Sequence, residues 1–369
     1  MTTPIMQFGT SRFLQAHADL FISEALERNQ AVGSITVVQS SGNAKRAERL
    51  KALSAPHGFP VRIQGLQAGE EINNTVQVTS VHRSLSTATS WDAIVEIFVD
   101  EVDIVLSNTA DSGYAHSAAD EEPTFNQAMS YPAKLTQLLL MRFKRNPKPI
   151  QIIPMELIVD NGQILKKRVL ELAQQTSPAF LAYLSNDVTW VNSLVDRIVS
   201  EPLEPAGAVA EPYALWAIED QSGLILPCRH DCIKVVGSLA EIEAMKLFVL
   251  NLGHTYLAQK WIEAGRLDGA TVVAAISDDE TKRALCNLYN GEVRPAFVAA
   301  GLENQIDPYI ETTLERFANP FLHHQLSDIA QNHSQKIERR ISAFLDWAKE
   351  KGDTDEKPVL AAMVKGVNN

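Results

Sequence analysis

One stretch of sequence combines three chemically useful side chains with an apolar helical pattern. Residues 244–258 contain Lys246, Asn251 and His254, and apolar residues occupy most of the other positions. At about 100° per residue, these side chains fall at roughly 0°, 140° and 80° around an α-helix, so they project from one side. An apolar helix is buried, and desolvation disfavours the ammonium form of a lysine. Lys246 is therefore predicted to act as a general base.

A purely structural helix is the alternative, in which the lysine reaches water and the histidine is hydrogen-bonded within a core. Other clusters could be interpreted as metal ligands. Cys228 and Cys232 flank His230, but no second cysteine pair completes a zinc site. His323 and His324 are adjacent on a predicted helix, where packing is the simpler explanation. No metal site is predicted.

A turn near the start of the chain has the location of a dinucleotide phosphate site. Residues 5–8 form a short apolar strand, residues 9–11 read Gly-Thr-Ser, and a helical stripe follows from Arg12. The N-terminus of a helix at this place offers free N–H groups to a pyrophosphate. The turn has a single glycine where the usual fingerprint has three, so an ordinary strand-to-helix turn is an equal alternative.

The end of the second predicted strand bears on which dinucleotide would bind. An acidic residue there normally accepts a hydrogen bond from the adenosine ribose. This chain has Gln39, which would not repel a 2′-phosphate, and Lys45 and Arg46 follow shortly after it. These residues leave NADP open beside NAD.

The elements around these motifs indicate an α/β fold with two domains. Apolar strands are predicted at residues 5–8, 34–39, 103–106 and 150–153, separated by helical patterns, which favours a parallel sheet covered on both faces. The later helical periods are at residues 241–264, 278–290, 293–300, 310–317 and 324–349. We expect a dinucleotide-binding domain over residues 1–206 and a mainly helical domain over residues 207–369. Strand-like stretches around Leu224 and at residues 232–236 could instead extend the first domain.

Composition excludes several classes of function. The formal net charge is −12, which opposes binding to nucleic acid or to an anionic membrane. Hydrophobic residues make up 45% and charged residues 21% of 369, as in an ordinary globular protein. The start has no basic and apolar leader, no apolar run is long enough to span a membrane, and three cysteines do not form a disulfide framework. A cytoplasmic location is expected.

Together the motifs resemble the long-chain polyol and sugar-acid dehydrogenases, a family that includes mannitol dehydrogenase and the hexuronate reductases. The resemblance runs over nearly the whole chain. The blocks that carry it are residues 7–17, 107–114, 194–199, 211–220 and 315–320, together with the Lys246-x4-Asn251-x2-His254 signature. It implies a Rossmann-like NAD-binding domain followed by a mainly α-helical C-terminal domain. It also implies metal-independent hydride transfer between a nicotinamide cofactor and a carbinol carbon.

The resemblance assigns roles to individual residues. Lys246 is the expected acid/base, and Asn251 and His254 hold the reacting oxygen. The expected cofactor-binding residues are Phe8, Gly9, Thr10, Arg12, Phe13, Gln39, Asn108 and Thr109. NAD is the implied cofactor, with NADP not excluded. A sugar-acid carboxylate needs a cation, for which Arg316 and Arg197 are candidates, while Asp196 could pair with Arg197 or accept a substrate hydroxyl.

Within the family, residues 154–158, 161–162 and 316–324 are more similar to the tagaturonate reductase (altronate oxidoreductase) branch than to mannitol dehydrogenase. The polyol branch carries Asp-Asn where this chain has Glu156-Leu157, and Ser11 and Gln15 replace a family glycine and arginine. The expected substrate is therefore a sugar acid of the tagaturonate/altronate or fructuronate/mannonate type. Alternatives are a mannitol/arabinitol-type polyol dehydrogenase and a non-catalytic dinucleotide sensor. A monomer or a homodimer is expected.

Overall fold

The computed structural model describes residues 2–109 and 114–367, which divide into two compact units. One unit comprises Met1–Ile63 and Asn73–Leu239, and the other Gln64–Ile72 and Ala240–Asn369. The division expected after residue 206 therefore lies at residue 239 instead. The physical reason is strand pairing: the strands between residues 208 and 236 hydrogen-bond to strands of the first unit.

The strands of the described residues run in chain order as follows: β1 (Ile5–Phe8), β2 (Ile35–Gln39), β3 (Phe59–Gln67), β4 (Glu70–Val78), β5 (Val81–Ser86), β6 (Ile104–Ser107), β7 (Ile150–Pro154), β8 (Val188–Trp190), β9 (Ser193–Asp196), β10 (Val199–Pro202), β11 (Ala208–Ala210), β12 (Leu215–Glu219) and β13 (Ile233–Val236). Strands predicted at β1, β2, β6 and β7 are confirmed.

A parallel sheet organises the first unit. Its order is β5-β2-β1-β6-β7-β8, and every pairing in it is parallel. If these six strands are renumbered 1 to 6 in chain order, the sheet order is 3-2-1-4-5-6, which is the order of a doubly wound dinucleotide-binding fold. Every residue of β1 and β2 is buried, because helices cover both faces. Ile5 belongs to the core on one face, and Met6 and Phe8 belong to the core on the other.

The helices of this unit are α1 (Arg12–Gln15), α2 (Ala18–Glu27), α3 (Ala47–Leu53), α4 (Thr87–Asp100), α5 (Tyr131–Arg145), α6 (Asn161–Ala173) and α7 (Pro178–Asn186). The continuous helix expected after Arg12 is wrong, because His17 leaves helical geometry at φ −131° and ψ −98°. The predicted apolar stripe survives this break, since Leu14, Ala18, Phe21 and Ala25 are all buried.

Two smaller sheets contain several strands that the sequence pattern missed, although the strand-like stretch at residues 232–236 is confirmed as β13. β10, β11, β3 and β4 form one sheet, and β13, β12 and β9 form another. Leu224, which was expected to lie in a strand, is in a turn where its N–H bonds to the carbonyl of Gln221. β4 has a mostly exposed side-chain pattern, so it lacks the apolar alternation on which strand prediction depends.

The second unit is helical across its described residues from 240 to 367. Its helices are α8 (Ala240–Met245), α9 (Leu252–Glu263), α10 (Val272–Ser277), α11 (Asp279–Leu288), α12 (Arg294–Ala299), α13 (Glu303–Phe317), α14 (Leu326–Ile329), α15 (His333–Ile337), α16 (Ala343–Glu350) and α17 (Pro358–Val367). π-Helical turns join some of them at Lys246–Asn251, Tyr289–Val293 and Glu338–Ser342. His323 and His324 precede α14 in a loop, not on a helix as expected. No helix in the described ranges is long and apolar enough to cross a membrane.

Candidate functional site

A cavity of about 670 Å³ opens in the first unit at the carboxyl ends of β1, β2 and β6. Open parallel sheets bind ligands at this end, where the strand order reverses, and the volume falls in the range of cofactor sites. Its described lining residues are Gly9, Thr10, Ser11, Gln39, Ser40, Ser41, Arg46, Arg49, Asn108, Thr109, Ala115, His116, Ser117, Ala128, Met129, Ser130, Tyr131 and Lys134. The residues present therefore fit a dinucleotide.

The turn after β1 is shaped by close contact with the end of β6. Gly9 has φ +125°, and a Cβ atom there would lie 2.6 Å from the carbonyl oxygen of Asn108. Ser11 caps α1, since its Oγ accepts the N–H of Leu14 at 3.2 Å and donates to Asn108 Oδ1 at 3.1 Å. Ser11 therefore closes the turn through hydrogen bonds, at a position where the resemblance implies a glycine.

The structure brings some of the predicted cofactor residues together and leaves others outside. Gly9, Thr10, Gln39, Asn108 and Thr109 all line the cavity.

Phe8, Arg12 and Phe13 are absent from the cavity's described lining. Phe8 packs against the ring of Tyr131, and Phe13 stacks on His17. Arg12 donates to the carboxylate of Glu204 at 2.6 Å, and it also donates to a backbone carbonyl.

Positive charge at the cavity comes from residues that the sequence reasoning mostly missed. α1 has four residues, so its dipole contributes little toward a phosphate. The lining instead contains Arg46, Arg49 and Lys134. The sequence analysis noted Arg46 because it follows β2, but no sequence motif identified Arg49 or Lys134. Only the fold brings α5, with Lys134, next to the loop after β2.

A buried carboxylate organises the end of β6. Glu156 accepts hydrogen bonds from Ser107 Oγ at 3.1 Å, the N–H of Thr109 at 2.9 Å and the hydroxyl of Tyr114 at 2.9 Å. Burial raises the pKa of Glu156, and these donors oppose the shift. The hydrogen bonds of Glu156 hold Thr109 at the cavity wall. Residues 110–113 of the predicted 107–114 block lie outside the described residues.

Arg197 and Asp196 lie at the end of β9 and are both buried. The Arg197 guanidinium donates to the carbonyl oxygen of Ala16 at 2.6 Å and to that of Glu211 at 2.7 Å. These bonds tie the segment between α1 and α2 to the chain near β11. A substrate contact for Asp196 and Arg197 stays a prediction, and the contacts around Arg197 favour the structural alternative.

The second unit places the predicted catalytic residues on an irregular helix. Lys246 begins a π-helical turn, Asn251 ends it, and His254 follows on α9. A π-helix bonds residue i to i+5, so Asn251 returns closer to the side occupied by Lys246 than the 140° of a regular α-helix would allow. Lys246 and Asn251 are half-buried and His254 is buried, so the helix is less enclosed at the lysine than its apolar pattern predicted.

His254 lies in a pocket of aromatic and cationic groups. Its ring centroid is 4.4 Å from that of Phe317 and 5.1 Å from that of His324. Burial lowers the pKa of His254 well below its usual value, and the charges of His324, Arg316, Arg340 and Lys336 lower it further. The imidazole is therefore neutral near pH 7 and can hydrogen-bond an oxygen without carrying charge.

The cations around His254 are themselves held in place. We call Arg316, Lys336 and Arg340 the cation cluster. Arg340 donates to the carbonyl of Asn251 at 3.2 Å, and Lys336 Nζ donates to the carbonyl of Ile329 at 2.6 Å. Arg316 is 5% exposed. Sequence reasoning named Arg316 but missed Lys336 and Arg340, which lie on α15 and on the π-helical turn that follows it.

In residues 2–109 and 114–367, no group of three or more His, Cys, Asp or Glu side chains is arranged to hold a metal ion. The cysteines considered as zinc ligands, Cys228 and Cys232, are free thiols. His230 Nε2 lies 2.8 Å from a carboxylate oxygen of Glu24, as expected of a structural pair.

Comparisons with known proteins cover both units. The mannitol dehydrogenase Rossmann domain model matches residues 3–225, and the mannitol dehydrogenase C-terminal domain model matches residues 238–367. An altronate oxidoreductase of Bacillus subtilis (strain 168) is 29% identical over 97% of this chain and 78% of its own length.

Solved structures share the fold. A D-sorbitol dehydrogenase in substrate-free form has a TM-score of 0.80 at 21% identity, over 96% of this chain and 78% of that one. The Pseudomonas fluorescens mannitol 2-dehydrogenase ternary complex with NAD and D-mannitol has a TM-score of 0.73 at 17% identity, over 100% of this chain and 78% of that one. The predicted combination of a parallel-sheet domain and a helical domain is confirmed.

Proposed function

Since the chain belongs to the mannitol dehydrogenase family, we propose that it transfers hydride between a nicotinamide dinucleotide and a sugar acid. Its family and its relatives make it an oxidoreductase of sugar acids or polyols. An altronate-type hexonate, oxidised at a secondary alcohol, is the proposed substrate, and the mannonate type is its close variant. The resemblance implies NAD and leaves NADP open.

The observation that carries the proposal is the cation cluster beside His254. The charges of Arg316, Lys336 and Arg340 each lower the pKa of this buried imidazole, and Arg340 also donates to Thr255 Oγ1, one residue after His254, at 3.0 Å. A neutral polyol cannot form an ion pair with these cations. The carboxylate of a sugar acid pairs with guanidinium and ammonium groups through charge-assisted hydrogen bonds. The cluster therefore favours a sugar acid over a polyol.

The catalytic roles follow from the irregular helix. In oxidation, Lys246 Nζ accepts the hydroxyl proton, and it returns that proton in reduction. Asn251 and His254 hydrogen-bond the reacting oxygen as negative charge develops on it, and such oriented donors are typically worth ~10²-fold each. A bound nicotinamide supplies the acceptor or donor of the hydride. The neutral state of His254 suits a positioning role and leaves the proton transfer to Lys246.

Cofactor binding is assigned to the cavity of the first unit. Gly9 and Thr10 line it beside the turn, and Asn108 and Thr109 line it at the end of β6. Phe8 packs on Tyr131 and Arg12 shares Glu204 with Arg49, and Tyr131 and Arg49 both line the cavity, while Phe13 stacks on His17.

A substrate comparison tests the proposal. Absorbance of the reduced nicotinamide is followed with altronate, mannonate, mannitol and arabinitol as substrates. We expect kcat/KM for one of the hexonates to exceed that for either polyol by at least about tenfold, the effect of one charge-assisted bond. Faster turnover of a polyol would instead favour the polyol dehydrogenase, and tight dinucleotide binding without turnover would favour the sensor.

Lys246→Ala isolates the proposed acid/base. We expect kcat to fall by roughly 10²-fold to 10⁴-fold, the usual contribution of a general base, while dinucleotide affinity stays unchanged. Lys260→Ala is the matched control, because Lys260 lies exposed on α9 and pairs with Glu263. Retained turnover in Lys246→Ala would contradict the assignment.

A further inference from the structure

The cavity of the first unit is cationic in a chain that is acidic overall. Arg46, Arg49 and Lys134 are among its lining residues, and no aspartate or glutamate occurs in the lining that the structure describes. The whole chain has a formal charge of −12, so the described cavity lining and the chain as a whole carry charges of opposite sign. A concave site with one sign of charge concentrates ligands of the opposite sign. The cavity is therefore suited to a ligand with several negative charges.

The cations gather at one end of the cavity. Gln39 ends β2, Arg46 and Arg49 follow it, and Lys134 Nζ donates to the carbonyl oxygen of Ser40 at 2.9 Å. The turn at Gly9, where a pyrophosphate is expected, follows β1 instead. In a doubly wound sheet, the loop after the second strand contacts the ribose of the adenosine half. The charge is thus placed beside that ribose.

Among the residues that the structure describes, the arginines at this end have fewer anionic partners than charges. Glu204 Oε1 lies 2.6 Å from an Arg12 nitrogen and 4.0 Å from one of Arg49, so one carboxylate serves both. The Glu204 side chain is 69% exposed. Arg49 Nε is buried and has no hydrogen-bond partner within the described parts of the chain. The Arg49 side chain as a whole is 23% exposed, so its guanidinium is open to an anion in the cavity.

The residue at the end of β2 does not select against such an anion. An aspartate or glutamate there would accept a hydrogen bond from a free 2′-hydroxyl and would repel a 2′-phosphate. Gln39 is neutral and buried, and its Nε2 donates to the carbonyl of Asn43 at 2.9 Å. We infer that Arg46 and Arg49, assisted by Lys134, bind the 2′-phosphate of the adenosine ribose. The protein prefers NADP(H) to NAD(H), an inference that rests on the proposed dinucleotide function.

Equilibrium binding tests the inference without turnover. NADPH and NADH are titrated separately into the full-length protein by calorimetry, and 2′,5′-ADP is compared with 5′-ADP as a probe without nicotinamide. We expect the 2′-phosphorylated member of each pair to bind at least about tenfold more tightly, the effect of one charge-assisted bond. NADH binding as tightly as NADPH would overturn the inference and leave the proposed function standing. Failure of both dinucleotides to bind would overturn both.

Variants assign the effect to the arginines. Arg46→Ala alters an exposed side chain, and Arg49→Gln keeps bulk beside Glu204. Each should weaken NADPH binding about tenfold or more and leave NADH binding within about twofold. Lys51→Ala is the matched control, since Lys51 is an exposed cation of α3 outside the cavity lining. Equal losses for NADPH and NADH would assign the arginines to the pyrophosphate and overturn the inference.

Discussion

Asp19 is an ionisable residue that the proposed chemistry does not use, buried on α2 in the first unit. Burial raises its pKa from the ordinary 3.8 to about 8, while the side chain of Gln7 opposes the shift. The native state therefore retains a proton that the unfolded chain releases between these two values. Stability from this group is lost as pH rises through that window, by up to ~1.4 kcal/mol per pH unit.

Asp19→Asn should remove this pH dependence. We expect the difference in free energy of unfolding, variant minus parent, to increase as pH rises from about 4 to about 8, because only the parent has to keep a carboxyl protonated. The total change is on the order of a few kcal/mol. Urea unfolding at a series of pH values measures it, with Asp92→Asn on the exposed face of α4 as control. A difference that is constant with pH would refute the prediction.

At the scale of elements, a tyrosine joins two of the π-helical turns of the second unit. Tyr289 begins the turn Tyr289–Val293, and its hydroxyl donates to the carbonyl of Val249 at 3.0 Å. That carbonyl belongs to the turn that contains Lys246. A Cβ atom on Gly253 would lie 1.9 Å from the Tyr289 hydroxyl oxygen. Gly253 is therefore the residue that permits this contact, one position before His254.

Gly253→Ala should force Tyr289 or α9 to move. We expect the free energy of unfolding to fall by about 2–4 kcal/mol, from overpacking and the lost buried hydrogen bond, and kcat to fall because His254 shifts. Thermal and urea unfolding measure the first effect. Gly291→Ala is the matched control, because its added Cβ would meet no atom within 4 Å, and it should change stability by less than about 1 kcal/mol. A fully stable Gly253→Ala variant would disprove the contact.

At the scale of the whole molecule, the acidic net charge and the local cationic sites act over different distances. The chain carries −12, but interactions between exposed charges fade beyond about 8 Å at physiological ionic strength. Buried charges are screened less, and Arg316 is 5% exposed. The proposed anionic substrate would therefore be retained by the local cation cluster despite the acidic surface.

Arg316→Gln should separate charged from neutral substrates. We expect kcat/KM for the preferred hexonate to fall by about tenfold to a hundredfold, the value of a charge-assisted hydrogen bond, with little change for mannitol. Initial-rate kinetics with both substrates measure the split. Arg294→Gln is the control, since Arg294 forms an exposed ion pair with Asp307 in the same unit. Equal losses for both substrates would show that Arg316 acts through the structure and not through the carboxylate.

The sequence by itself determined those features that are encoded locally. The apolar runs of β1 and β2 predicted strands, and the structure buries both strands completely. The order of the motifs indicated the family and its α/β fold. Apolar periodicity likewise identified the helices of the second half, although it predicted a regular helix at Lys246.

The tertiary structure alone decided which distant residues meet. Strand pairing assigned residues 208–236 to the first unit, and packing against Tyr289 accompanies the π-helical turn. Lys134 reaches the loop after β2, and Arg340 reaches the helix of His254, through contacts far apart in sequence. No local pattern marks such residues, because a cation that lines a binding site and a cation on the surface can have the same neighbours in the sequence. Their charges can act on one ligand only because the fold brings the side chains close together in space.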